Sequence, residues 1–499
     1  MLDLTKLRES IEQERKNWDH ASLGVAVVKD GEVLLADGFG FADAESGKAA
    51  DGKTLYQIGS CSKAFTAACV AVLVDQGKVK WDDPVRKYLP WLQYKDSYVS
   101  EHVTIRDMLC HRTGVPRYDA YWICNPCTRR EMVENLKNMD AVCGFRAGWN
   151  YQNNCYTAIG MLVEAVSGLT WEAFVQKYLF DPIGMTRSTF YIEKAEKDEN
   201  HATPYERKPG DRRKGFRAID YLRSPLENME QGIGAPWGPA GSIISCAEDM
   251  AKWVLCHLNK GKVGDVQVIS EACIEEMHKV NMVLDEPLIA KFPENDFPSY
   301  GMGWFIDCYR GKKMVQHGGN INGFSTLTAM LPNENAGIFV IANMDGSLMT
   351  YSTMYDIADR ILGVETEENW HDRWRAKLDS IIEASELNKP DEPRVEGTAP
   401  SHALADYAGT YRHPALGRLA FREEDGKLFI DYEIGDAFAP MEHWHYDTFK
   451  VSDPDYMIDG MKARFLMNEA GAIDRVEMPL GLDPRIPVAI FVRDTAEKE

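Results

Sequence analysis

Three groups of residues have the types and spacing for nucleophilic catalysis. Ser60-Cys-Ser-Lys63 sets a hydroxyl and an amine at positions i and i+3, which share one face of a helix, so the lysine can take the serine's proton. A lysine does this only where burial or a neighbouring cation depresses its pKa. Ser60 also falls at the start of the expected helix, where free backbone N–H groups and the helix dipole favour a developing oxyanion. Tyr151-Gln-Asn153 follows Arg146-Ala-Gly-Trp149. It brings a phenol that can act as general base near a lysine, and an amide that can hold a substrate carbonyl. His317-Gly-Gly319 follows the strand-like Lys313–Gln316, and its glycines let a substrate approach the backbone closely. Taken singly, each group has a purely structural reading: a helix cap with a surface lysine, a packed aromatic, an asparagine cap, a turn. About one Ser-x-x-Lys pair arises by chance in a chain this long.

The elements that must position these residues are legible in part. Leu23–Asp37 reads as two strands joined at Asp30-Gly31, the two-residue hairpin signal. From Ser60 to Gln76 the residues Phe65, Cys69, Val72 and Leu73 recur at helical spacing and Gly77 stops the helix. Thr104-Ile-Arg-Asp107 resembles a capping box with Asp in place of Glu. Asn153 or Asn154 is expected to cap a helix over Cys155–Ser167 that Gly168 ends. Residues 195–240 are charged, rich in Gly and Pro and aperiodic, which reads as a long loop or insertion over a site. Strand-like runs return at Met314–Gln316, Ser325–Leu331 and Gly337–Asn343. Strands at both ends with helices between them imply an antiparallel sheet whose N- and C-terminal strands pair, flanked by helices, an α/β (α+β) domain. A helix over Glu367–Leu387 carries Trp370, Trp374, Leu378 and Ile381 or Ile382 on one side, and Asn388–Ser401 has the composition of a linker. From His402 onward, short strands with turn signals indicate a small all-β barrel or sandwich. The expected units are therefore 1–387, a linker at 388–401, and 402–499. Trp444, Tyr446 and Phe449 with His443 and His445 read as barrel core or, less simply, as the lining of a ligand cavity.

Composition narrows the partners. The 499 residues include 77 acidic and 56 basic ones, a formal charge of -21, which repels nucleic acid and anionic membranes. No apolar run reaches the length of a membrane helix. Residues 1–19 are charged and lack the apolar stretch of a secretion signal, so the expectation is a soluble cytoplasmic protein. Eleven cysteines, all before residue 309, do not form a disulfide framework, and the Cys124–Cys127 pair has no second pair at zinc-finger spacing.

Together, Ser-x-x-Lys, Tyr-x-Asn and His-Gly-Gly in this order resemble the serine β-lactamase and penicillin-binding-protein superfamily, in particular its class C-like branch of esterases, D-amino-acid peptidases and acyltransferases. Asp83-Pro-Val85, Tyr88-Leu-Pro90, the block Asp107–Pro116, Pro182–Met185, Ala240–Ser245 and Tyr300–Trp304 are similar to other segments of that family, over about residues 20–360. The resemblance implies Ser60 as nucleophile, Lys63 as proton acceptor or electrostatic support, Tyr151 as general base, and Asn153, His317, Gly318 and Gly319 as substrate contacts. It implies an oxyanion hole from the backbone N–H groups of Ser60 and Asn320. Whether Lys63 or Tyr151 takes the first proton stays open. His317-Gly-Gly319 stands where classical members carry Lys-Thr-Gly. With no fixed cation on that strand, the expected substrates are esters, thioesters or amides lacking a carboxylate. The tail resembles the lipocalin-like C-terminal domain of some members through Tyr407–Tyr411 and Asp425–Leu428, a unit expected to cover the site's mouth or mediate homo-oligomers. The implied activity is that of a serine hydrolase acting through a Ser60 acyl-enzyme on a small molecule or peptide, without metal or organic cofactor. An acyltransferase with an amine or alcohol acceptor shares the first half-reaction, and a silent binding or scaffold protein would share only the fold.

Overall fold

Asp30 and Gly31 have φ of 52° and 85°, the paired left-handed conformation of a two-residue hairpin turn. They join β1 (Ser22–Lys29) to β2 (Glu32–Asp43), as the sequence predicts. The computed structural model describes residues 2–208, 213–285, 291–365, 368–387, 394–431, 438–453, 458–481, 483 and 485–495. The hairpin belongs to a nine-stranded sheet with β3 (Lys48–Ala49), β4 (Met282–Val283), β5 (Asn295–Tyr300), β6 (Phe305–Tyr309), β7 (Lys312–Ile321), β8 (Phe324–Leu331) and β9 (Ala336–Ala342). The order is β4-β5-β6-β7-β8-β9-β1-β2-β3. Thus the N-terminal strand pairs antiparallel with a C-terminal one, Val25 opposite Val340.

Both faces of the central strands are covered: every residue of β8 and β9 is buried, and β9 reads as an unbroken apolar run. Successive residues point to opposite faces. Leu23, Val25 and Val27 pack with α1 (Leu4–Asn17) and, from later in the chain, Met349–Leu362 and Trp370–Leu387, while Ala26 and Val28 face the layer that holds the catalytic helices. In that layer α2 (Ser62–Asp75) is buried from Ser62 through Leu73. It lies between the sheet and α3 (Asn153–Ser167), whose stop is Gly168 with φ 74°. The cap of α3 is neither asparagine: Gln152 occupies it, and its side-chain oxygen accepts from the Asn154 N–H at 3.1 Å. The 195–240 segment is more than a loop. It includes a hairpin pairing 205–207 with 216–218 and a helical turn, Gly238–Gly241, that packs on α2 and α3. Trp370 and Trp374 of the expected docking helix are buried against Tyr355 and Phe292.

The C-terminal strands close into an eight-stranded barrel, β10 (Gly409–His413), β11 (Gly417–Glu424), β12 (Lys427–Asp431), β13 (Ala439–His445), β14 (Thr448–Val451), β15 (Lys462–Met467), β16 (Ile473–Met478) and β17 (Ala489–Arg493). Closure comes from β10 pairing with β17, Tyr411 opposite Arg493. Tyr407, Tyr411, Phe421, Phe449 and Phe465 fill the interior edge to face. Phe449 is therefore core, whereas Tyr446 is exposed at a turn and Trp444 stacks against Arg394, Lys450 and Lys462. The cavity-lining reading of that stretch is corrected by this outward placement. The barrel meets the first domain through Asn135 and Asn138, whose amides donate to the carbonyls of Ala415 and Pro414, and through Arg485, which donates to Asn150 Oδ1 at 2.8 Å. Part of the expected linker, 388–393, and the side chain of Cys124 lie outside the described residues.

One buried carboxylate ties together the segments that precede the candidate residues. Asp107, wholly buried, completes the capping box with Thr104 and accepts from Arg112 Nε at 2.5 Å and from Arg146 Nε and Nη2 at 2.8 and 2.7 Å. Burial alone would raise its pKa, but the Arg146 and Thr104 hydrogen bonds and the Arg112 charge outweigh it and hold the carboxyl below its ordinary value. Its stabilisation is complete above the usual carboxylate range and is lost as pH falls through the lowered folded value. Asp107→Asn should destabilise the protein by about 3 kcal/mol, the lower end for breaking a buried pair because Arg146 is half exposed. Urea unfolding of both proteins at pH 7 and pH 3 checks this: the difference should shrink at the lower pH.

Candidate active site

Ser60 sits in the 3-10 turn Gly59–Cys61 that runs into α2, and Lys63 is one turn further, as the i, i+3 spacing requires. Lys63 Nζ lies 3.0 Å from Ser60 Oγ and donates to the Ala240 carbonyl at 2.8 Å. Lys63 is fully buried while Ser60 is partly exposed, so the hydroxyl faces solvent and the amine stands behind it. Burial, reinforced by the Arg117 charge, pulls the Lys63 pKa well below the lysine range, with Asp119 pulling weakly the other way. The direction of this shift is the one that a proton-accepting amine requires. The turn Gly238–Gly241 that supplies Ala240 is fastened to α2 by Thr66, whose hydroxyl donates to the Pro239 carbonyl at 2.6 Å.

Tyr151 lies beside the pair, with Lys63 Nζ 4.7 Å from its ring centroid. Burial raises the phenol's pKa; the Ser60 side chain and the Arg117 charge only partly offset that. His111 holds the loop on either side of Tyr151. Its carbonyl accepts from the Asn150 N–H at 2.8 Å and its Nδ1 accepts from the Gln152 N–H at 3.1 Å. Both acceptors reach one strand because His111 has φ 55°, a left-handed conformation that a non-glycine residue adopts at some cost in strain. Burial depresses the His111 pKa, the direction that a ring accepting at Nδ1 requires.

Asn153, at the start of α3, donates from its amide nitrogen to Asp119 Oδ2 at 3.0 Å. That wholly buried carboxylate also accepts from Arg117 Nε at 2.7 Å and from the Trp122 indole at 3.0 Å. His317 lies on β7, buried, with Nδ1 donating to the Gly318 carbonyl at 2.6 Å and Nε2 accepting from the Tyr300 hydroxyl at 3.0 Å. Burial pushes its pKa down to about 3. Both His317 ring nitrogens are engaged, which ties the side chain to Tyr300 and to its own strand. Gly319 is required by close approach: a Cβ there would fall 2.1 Å from the Ile58 carbonyl and 2.9 Å from Ser60 N. Asn320 N lies against Gly59, so the Ser60 and Asn320 backbones converge at one mouth. The structure thus gathers Ser60, Lys63, Tyr151, Asn153 and residues 317–320. It adds His111, Arg117, Asp119 and Tyr300, which the sequence reading passed over as site residues. The available signal was the Arg-x-Asp that directly follows Pro116. Among the described residues no group of three or more His, Cys, Asp or Glu side chains is placed to hold a metal ion.

Comparison with known proteins agrees with this geometry. The family described as Beta-lactamase matches residues 7–360, and the family Domain of unknown function (DUF3471) matches 393–490, the barrel. Unguisins hydrolase ungD of Aspergillus violaceofuscus is 28% identical over 471 residues, 85% of this chain and 79% of that protein. Among solved structures, the octameric penicillin-binding protein homologue from Pyrococcus abyssi superposes with a TM-score of 0.63 at 21% identity, covering 98% of this chain and 100% of that one. The D-amino acid amidase from Ochrobactrum anthropi SV3, solved with L-phenylalanine amide, gives 0.55 at 21% identity over 72% of this chain and 98% of that one. With the match spanning well over half its length and Ser60 and Lys63 set beside β7 of the antiparallel sheet, the chain belongs to the beta-lactamase family.

Proposed function

We propose that the protein hydrolyses an amide or ester bond through an acyl-enzyme on Ser60. The observation that carries this reading is the buried Lys63 amine 3.0 Å from Ser60 Oγ, with the Tyr151 ring 4.7 Å from the same amine. The two pKa directions divide the labour. Lys63, held neutral by desolvation, takes the Ser60 proton as Oγ attacks the carbonyl carbon. The oxyanion forms against the backbone N–H groups of Ser60 and Asn320. Tyr151, held protonated by burial, passes its proton to the leaving nitrogen or oxygen and is reprotonated from Lys63. Water then attacks the acyl ester, gives its proton to the same pair, and Ser60 Oγ recovers it. The names of relatives, an unguisins hydrolase and a D-amino acid amidase, support an amide as the bond cleaved. An amine or alcohol in place of water would give acyl transfer, and no residue described here favours that acceptor.

Intact mass after exposure to a fluorophosphonate probe should show one adduct on the wild type and none on Ser60→Ala, whose turnover of p-nitrophenyl esters and anilides should fall to background; a variant that kept most of the activity would sink the mechanism. Lys63→Ala and Tyr151→Phe should each lower kcat by at least about 10²-fold. Because Lys63 must be neutral, kcat/KM should rise with pH through a pKa well below that of an ordinary lysine, and Lys63→Ala should erase this limb. His111→Ala should lower kcat by about 10- to 100-fold with little change in KM, by loosening Tyr151. His111→Asn, which tolerates the left-handed φ and keeps an acceptor, should restore most of the rate.

A further inference from the structure

The expectation of a pocket without a cation rests on β7, where His317 stands in place of a lysine and is neutral. The structure supplies a cation from another element. Arg117 places its guanidinium carbon 5.5 Å from the Tyr151 ring centroid, on the segment that leads from Pro116 to Asp119. Its partner Asp119 is 0% exposed, whereas the Arg117 side chain is 47% exposed, so the pair presents its positive member to solvent. Asp119 grips one edge only: Nε at 2.7 Å and Nη2 at 2.6 Å both reach Oδ2. The same carboxylate orients Asn153, so the guanidinium and the Asn153 amide are fixed relative to each other by one buried group.

We propose that Arg117, through the guanidinium N–H groups that Asp119 does not take, binds a carboxylate on the substrate, making the enzyme selective for acyl compounds that carry a negative charge near the scissile bond. This rests on the hydrolase reading and adds its selectivity. An arginine fixed along one edge keeps donors in a rigid planar fork, the arrangement that carboxylates match. Lys63 cannot serve instead, because it is buried and its amine is committed to Ser60 and Ala240. Lys63 Nζ and the Arg117 guanidinium carbon lie 4.7 and 5.5 Å from the same Tyr151 ring centroid, so an anion held at Arg117 sits one aromatic ring away from the proton relay.

Binding to Ser60→Ala, measured by isothermal titration calorimetry, tests the proposal without requiring turnover. The ligands are mono-p-nitrophenyl succinate, glutarate and adipate against their methyl esters, for a charge on the acyl side, and 3-carboxyphenyl against 3-carbamoylphenyl acetate, for a charge on the leaving group. In at least one pair the acid should bind about 10-fold or more tightly than its neutral partner, and Ser60→Ala/Arg117→Gln should equalise the two. Arg117→Lys in the same background, which keeps the charge but loses the fork, should retain part of the preference. Equal affinities in every pair, or a preference that survives Arg117→Gln, would overturn the proposal. Turnover of the same esters by wild type reports separately on the hydrolase reading, which can fail while the binding preference stands.

Discussion

Everything at the candidate site depends on keeping one lysine amine out of water beside a serine. Desolvating a lysine is expensive unless it becomes neutral or finds partners. Here the sequence meets both conditions by surrounding α2. Its residues from Ser62 to Leu73 are buried, so Lys63 has no route to solvent past Ser60 and Tyr151. The Ala240 carbonyl gives the amine one acceptor and Ser60 Oγ the other. That carbonyl is available only because Gly238–Gly241 packs against both α2 and α3. Gly160 makes room for it: a Cβ there would fall 2.2 Å from the Pro239 ring. A helix that looks like ordinary core is thus also the device that tunes a proton acceptor.

The other half of the relay hangs from two buried acids and a strained histidine. Asp107 ties Arg112 to Arg146, His111 brackets Tyr151 between two backbone hydrogen bonds, and Asp119 orients Asn153. Arg146 and His111 both have positive φ, 61° and 55°, and they lie on the two segments that Asp107 joins. Strain of this kind persists where the surroundings over-determine it. The barrel adds a further hold: Arg485 donates to Asn150, the residue before Tyr151, so motion of the second domain is felt one peptide from the phenol.

What the sequence could disclose follows from the range of the interactions involved. The hairpin at Asp30-Gly31, the Ser60–Lys63 face, the Thr104–Asp107 box and the Gly168 stop are local, set by residues within four positions of one another, and the structure has all of them. The central strands were legible because burial on both faces favours apolar runs, whereas β4, β5 and β6 lack such runs and were not read as strands. The cap of α3 was misread because Asn153, Asn154 and Gln152 all offer a side-chain oxygen, and only the long-range bond from Asn153 to Asp119 decides between them. The Tyr300 partner of His317 was not legible for the same reason: the hydroxyl that meets its Nε2 comes from another strand. In the barrel, one apolar stretch became a hairpin around Tyr446, and alternation alone did not tell that Trp444 faces outward.

Charge ties these observations together. Burial leaves His111 and His317 neutral and drives Lys63 toward neutrality, so the titratable bases nearest Ser60 contribute dipoles in place of full charges. Arginine does not follow that rule, because its pKa is too high for burial to neutralise it. Arg117 therefore remains a permanent charge beside the nucleophile, and its buried partner Asp119 keeps it in place without covering it. The chain as a whole carries -21, which would repel an anionic substrate at a distance. At physiological ionic strength that field is screened within about 8 Å, whereas a hydrogen-bonded guanidinium acts at contact. A fixed, solvent-facing cation beside Tyr151 can thus select for an anion that the protein's overall charge disfavours. It does so while lowering the Lys63 pKa, so that binding and proton transfer draw on the same side chain.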